Sequence, residues 1–405
     1  MTEQVGRSCG PRRLPRAGSL YPPSAGMFSG SSRIAGGGAR SYLHATGGGG
    51  RRRPPSSATR TPGEPVKARS RRPATAPLAL LLAAVAMAGC GKQAAIGEAN
   101  SLVILTSSDS LWNRMEDTTR AALEHTVFTV RQEKKFFVEQ ADTSSPHAGQ
   151  YKLFRQVLVF GTPDDPVVRH IAEEAGVDVP PGAPSIVQAQ DVWAHDQVAT
   201  AVVLEPGREA ESWAAQLPQL TALVDSQYRT YVHQRMYVSG EDTATERQLA
   251  SQYGFRLRFP MVYQVDTARD SVVVVRNDNP DPSELIRSVL VAFRPRVDSL
   301  TGAMAYAWRR AVDTLYYHNQ QAIDTVPGTV TTTVVNGHPA LEATGIWKDV
   351  ETSYPAGGPF IARLVQCPDR TYLVDGWLYA PGKSKYQYMI QIRDIMDSFD
   401  CGASG

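Results

Sequence analysis

No apolar stretch in this chain of 405 residues approaches the ~20 needed to cross a bilayer; the main one, Ala76 to Ala88, is 13 residues long. That argues against a spanning helix and suits the core of a signal peptide. Cysteine is scarce, with four residues: Cys9, Cys90, Cys367 and Cys401. Two cysteines late in the chain cannot build a structural zinc site alone, and the nearest histidine, His338, is far from both in sequence. From residue 90 onwards Gly-x-Ser-x-Gly, a phosphate-binding loop and His-Glu-x-x-His are all missing, so no catalytic residue, metal ligand or cofactor is assigned. Acidic residues are nearly absent from the start. Residues 1–73 carry 14 basic and two acidic side chains, leaving 28 basic against 38 acidic in the rest, a net −10. The formal +2 of the whole chain therefore hides an acidic body, which excludes the basic footprint that a nucleic-acid partner needs.

What is present begins with a basic stretch, Lys67, Arg69, Arg71 and Arg72. The apolar run follows, and then Met87-Ala88-Gly89-Cys90. This order resembles the lipobox of bacterial lipoproteins. The resemblance implies cleavage before Cys90 and a lipid anchor on it, with acyl chains of the palmitate type. The alternative is an ordinary secretory signal with a chance cysteine. Two or more acyl chains hold a protein firmly where one does not. Gly91 and Lys92, with no aspartate behind the cysteine, favour the outer membrane. Residues 1–65 are rich in Gly, Pro, Ser and Arg, cannot bury a core and are expected to be disordered. Because signal peptides begin chains, the expectation is a start at Val66, with residues 66–89 as the signal peptide.

A chain beginning at Cys90 has 316 residues, enough for two domains. In an oxidising envelope Cys367 and Cys401 read as a disulfide. It would close a loop of about 35 residues and contribute roughly 3–4 kcal/mol. The alternative is two buried free thiols. The fold expected is α+β: an N-terminal α/β domain over 90–240, then an antiparallel-sheet α/β sandwich over 241–405, with Gly240-Glu241-Asp242 at the boundary. Strands are expected at Leu102–Thr106, Phe136–Glu139, Tyr151–Phe160, Ser185–Gln190 and Ala199–Leu204. A helix is expected from Arg208 to Met236, interrupted near Pro218. In the second half, strands alternate with helices at Glu246–Tyr253, Thr301–Ala322 and Lys383–Phe399, and Asn336-Gly337 turns a hairpin.

The second half also carries Gly345-Ile346-Trp347, Gly357-Gly358-Pro359-Phe360 and Asp375-Gly376-Trp377-Leu378-Tyr379-Ala380-Pro381. With the helix around Trp112 and the strand near Phe160, these resemble an uncharacterised family of bacterial envelope lipoproteins, a domain of unknown function. The strand order of this half is also similar to the sandwich of Mog1 and PsbP-like proteins, an analogy that carries no function.

Four constellations have plainer readings than the chemistry they suggest. His170 and Glu174 read as a solvated helix face, and His195-Asp196 as neighbours that do not face each other. Asp278, Asn279, Asp281 and Glu284 read as a turn without the spacing of a calcium loop. Arg256, Arg258, Arg294 and Arg296 read as exposed strand arginines rather than an anion site. The binding candidate is a groove of Trp347, Tyr354, Gly357, Gly358, Pro359, Phe360, Asp375, Trp377 and Tyr379. Aromatics there flank a glycine loop, and Gly376 suggests close backbone approach. Core aromatics beside a tight turn would look the same.

The sequence thus reads as a lipid-anchored protein of the cell envelope, outer membrane and periplasmic in placement, non-catalytic, binding or scaffolding an envelope protein, glycan or lipid. The alternatives are a hydrolase of envelope polymers and a subunit of an outer-membrane assembly or transport complex.

Overall fold

The structure, a computed structural model, describes residues 91–402 except 107, 180–183, 318–319, 326–327 and 351–355. Residues 1–65, the expected signal peptide over 66–89, Cys90 and Tyr354 lie outside the described residues. The fold is α+β, with an α/β region first and an antiparallel-sheet region second.

The first region holds β1 (Ser101–Thr106), α1 (Asp109–Leu123), β2 (Thr126–Phe128), β3 (Gln132–Lys134), β4 (Phe137–Asp142), α2 (Ala148–Tyr151), β5 (Gln156–Gly161), α3 (Pro166–Ala175), β6 (Ser185–Gln190), β7 (Val198–Val203) and α4 (Glu209–Met236). Its sheet runs β4-β1-β5-β7-β6, parallel except for β6. Both faces are covered, which explains why β1 is a continuous apolar run rather than an alternating one. Leu102 and Ile104 pack with residues of α1 and α4, while Val103 and Leu105 pack with those of α3. Ser108 caps α1 and Asp165 caps α3, as short polar side chains do at a helix start.

Two expectations fail here for physical reasons. The expected strand from Tyr151 begins only at Gln156, because Ala148–Tyr151 closes a helical turn first. The expected interruption at Pro218 does not occur, and α4 is continuous over 28 residues. Pro218 and Ala214, whose carbonyl loses its helical partner, both sit on the exposed face, where that carbonyl is open to solvent rather than buried.

The second region holds α5 (Thr243–Tyr253), β8 (Phe255–Arg256), β9 (Gln264–Arg269), β10 (Val272–Asn277), β11 (Ile286–Pro295), α6 (Gly302–Tyr316), β12 (Gln321–Asp324), β13 (Val330–Val335), β14 (His338–Asp349), β15 (Gly357–Gln366), β16 (Arg370–Tyr379), α7 (Tyr386–Asp397) and β17 (Asp400–Cys401). The eight-stranded sheet runs β12-β14-β15-β16-β11-β10-β9, with β13 also paired to β14. Helix α6 covers one face, and α5 and α7 cover the other. Val272 and Val274 accordingly join one core, and Val273 and Val275 the opposite one. Asn336 and Gly337 both take positive φ in the β13–β14 turn, the geometry a two-residue hairpin requires.

Helix α6 is shorter than the sequence suggests. It stops at Tyr316, and Gln321–Asp324, whose first two residues fall in the expected helix, pairs with β14 as a strand. Helix α7 belongs to two cores. Ile392, Ile395 and Met396 pack on the antiparallel sheet, and Tyr386 and Ile390 pack with α4 residues of the first region. Its N-terminus is held by Glu133 of β3, whose Oε2 accepts hydrogen bonds from the backbone N–H groups of Lys385 (2.7 Å) and Tyr386 (3.2 Å). A carboxylate there also meets the positive end of the helix dipole.

Cys367 and Cys401 form a disulfide with Cα atoms 6.0 Å apart. It ties the end of β15 to β17, which pairs with β8. No described helix is long and apolar enough to cross a membrane.

Candidate functional site

A cavity of about 510 Å³ lies on the antiparallel sheet beside the end of α6. Trp347 comes from β14, Trp377 and Tyr379 from β16, and Tyr316 and Tyr317 from the end of α6. The strand registers set the floor. Arg276 on β10 lies opposite Ser288 on β11, and Ser288 lies opposite Trp377 on β16. Directly paired residues share a face, so these three form a row across three strands, each step about 4.8 Å.

All three line the cavity, and each keeps a buried polar atom that has no hydrogen-bond partner among the described residues: Arg276 Nε, Ser288 Oγ and Trp377 Nε1. A buried group left in this state costs about 1–3 kcal/mol. Trp347 shows the ordinary solution, donating its indole N–H to the Leu378 carbonyl at 3.1 Å. The carboxylates of Asp266 and Asp349 also line the cavity. Burial pushes the Asp349 carboxyl up.

Beneath the aromatic wall lies a buried polar network. Arg309 on α6 and Asp375 on β16 are both fully buried and paired at 3.0 Å (Nε to Oδ1). The Tyr317 hydroxyl donates to the other carboxylate oxygen at 2.6 Å, and Arg309 also donates to Gln321 Oε1 at 2.8 Å. Its guanidinium lies 4.0 Å from the centre of the Phe360 ring. Burial pushes the Asp375 carboxyl up against the opposing pull of Arg309 and Tyr317. One helical turn on, Asp313 accepts from the Gln321 backbone N–H at 2.8 Å, and burial raises its carboxyl to about 6.

The groove residues separate into three groups. Trp347, Trp377 and Tyr379 come together in the cavity, the two tryptophans meeting edge to face at 5.1 Å. Asp375 and Phe360 lie beneath in the core, with Arg309. Gly357, Gly358 and Pro359 do not form a loop; they open β15. A Cβ on Gly358 would overlap the Leu378 carbonyl, so the glycine there serves strand packing. Gly376 does mark close approach, of the sheet to Ile392 and Met396 on α7. Tyr354 lies outside the described residues.

Sequence reasoning passed over Arg276, Ser288 and Gln321. An isolated serine or arginine in a valine-rich strand carries no signal until register places it beside a tryptophan from 89 residues later.

The other constellations resolve into ordinary partners. His195 faces Asp191 at 3.7 Å rather than Asp196, and His170 lies beside the Trp193 ring. Asp281 accepts from Ser283 within its turn, and Glu284 pairs with Lys383. Arg294 lies over Trp308 and Arg296 donates to the Cys367 carbonyl, so these arginines have separate partners. His338 is far from the cysteines in sequence but comes within 4.8 Å of both sulfurs in space. Those sulfurs are engaged in the disulfide.

The cavity, its floor and the network beneath it all fall in one segment. Residues 242–398 match the family described as Domain of unknown function (DUF4837). The match runs from the N-cap of α5 to the C-cap of α7. It agrees with the expected uncharacterised family over this segment. No curated protein matches the chain.

Among solved structures, cyanobacterial PsbP (CyanoP) from Synechocystis sp. PCC 6803 aligns at 12% identity and a TM-score of 0.27, covering 37% of this chain and 88% of that one. A Bacteroides thetaiotaomicron VPI-5482 protein aligns at 6% and 0.24, covering 38% and 46%. Human STARD10 aligns at 10% and 0.17, covering 38% and 74%. At these scores the likenesses carry no argument about function.

Proposed function

We propose that this chain is a cell-envelope protein anchored through a lipid on Cys90, at the outer membrane and facing the periplasm, whose DUF4837 segment binds a small ligand without turning it over. The observation that carries the binding reading is the row of unpartnered polar atoms on the floor of an aromatic-walled cavity. A bound molecule would satisfy those groups. The non-catalytic reading is supported by the lining. Its two serines, Ser283 and Ser288, have no histidine or lysine beside them among the described lining residues. The net −10 of the body favours a partner other than nucleic acid.

The anchor is tested by Cys90→Ala, which should abolish fatty-acid labelling and release the protein from membranes into the soluble fraction. Labelling that persists in the variant overturns the anchor. The binding reading is tested on the full chain, purified in mild detergent, by ligand-induced change in the fluorescence of the tryptophans that line the cavity.

A further inference from the structure

We infer that the ligand of this cavity is a polyhydroxylated molecule of mono- or disaccharide size, a glycan fragment, held by the Arg276–Ser288–Trp377 row and by Asp349 of the lining. This rests on the binding reading above and adds the chemistry of the ligand.

The floor offers two donor-only atoms, Trp377 Nε1 and Arg276 Nε, with the Ser288 hydroxyl between them. They ask for acceptor oxygens spaced along one edge of the ligand. The lining also holds Asp349, an acceptor when ionised. A ligand carboxylate would answer the floor but meet the like charge of an ionised Asp349. A hydrocarbon would answer the walls but leave the floor unpartnered. A hydroxyl group both donates and accepts, so a ring carrying several hydroxyls answers the floor and Asp349 together. Its C–H faces suit the rings of Tyr379 and Tyr317. A cavity of about 510 Å³ is of the order that small-molecule sites occupy.

The test uses the full chain in mild detergent with three probe classes: glucose, galactose, N-acetylglucosamine and their disaccharides; the carboxylates benzoate and hexanoate; and toluene. Binding is read by tryptophan fluorescence and by saturation transfer in ligand NMR. The expected result is saturable binding of at least one sugar. Trp377→Phe, which keeps a ring and removes the N–H, and Ser288→Ala should each weaken it about tenfold. Asp349→Ala on the lining should weaken it by a similar factor, and melting temperatures identify any variant that has lost its fold. Carboxylate or toluene binding that depends on Trp377, with no sugar binding, overturns the glycan assignment and leaves the binding reading standing. Sugar binding that is unchanged in all three variants places the sugar elsewhere and overturns the assignment to this cavity. No binding from any class overturns both.

Discussion

Asp313 sits where its ionised form is disfavoured. It is 1% exposed, one of its carboxylate oxygens has no partner among the described residues, and burial raises it to about 6. The folded protein therefore keeps this proton to higher pH than the unfolded chain does, and stability falls as pH rises from 3.8 to about 6. Asp313→Asn keeps an acceptor for the Gln321 N–H and removes the charge. Urea denaturation between pH 4 and 8 should show a flatter slope in that variant. Near pH 7 it should be more stable by up to about 3 kcal/mol. Glu342 shows the opposite balance. Burial pushes it up, but hydrogen bonds and charge from Arg393 and Arg363 outweigh that and hold it below the usual glutamate value. The difference is one of partners: Glu342 has two guanidiniums within 2.8 Å, and Asp313 has one backbone N–H.

Single elements show where packing overrides local pattern. The sheet approaches α7 so closely at Gly376 that any Cβ there would collide with Ile392 and lie 2.8 Å from Met396 Sδ. Gly376→Ala should cost about 1–3 kcal/mol or more, seen as a lower denaturation midpoint, and Ile392→Val should restore part of the loss. The elements most legible in the sequence are those whose signals are local: β6 spans the residues expected of it, Asp165 caps α3, and Asn336-Gly337 turns a hairpin. The least legible is β12. Gln321–Asp324 holds only two apolar residues and is a strand because β14 offers it a partner. The candidate site follows the same division. Trp347, Trp377 and Tyr379 stand out in the sequence by residue type. Arg276, Ser288 and the Arg309–Asp375 pair depend on strand register and on a helix packed across 66 residues of chain.

At the scale of the whole molecule, the disulfide restrains the end of the chain after α7. Replacing Cys367 and Cys401 together with alanine should cost about 2–5 kcal/mol, measured by chemical denaturation under oxidising conditions. A variant as stable as the parent would show that the packing of Phe399 and Phe255 holds the terminus without the bridge. Helix α7 links more than the chain end. Its Tyr386–Ile390 face lies in the core of the first region, while Glu133 from that region supplies its cap. The family match from 242 to 398 therefore cuts through a shared interior. Excised at those limits, the segment would bare an apolar strip and lose the acceptor that starts its last helix. The two regions are thus bound to one cooperative unit, and strain introduced at α4 would be felt at the sheet that floors the cavity.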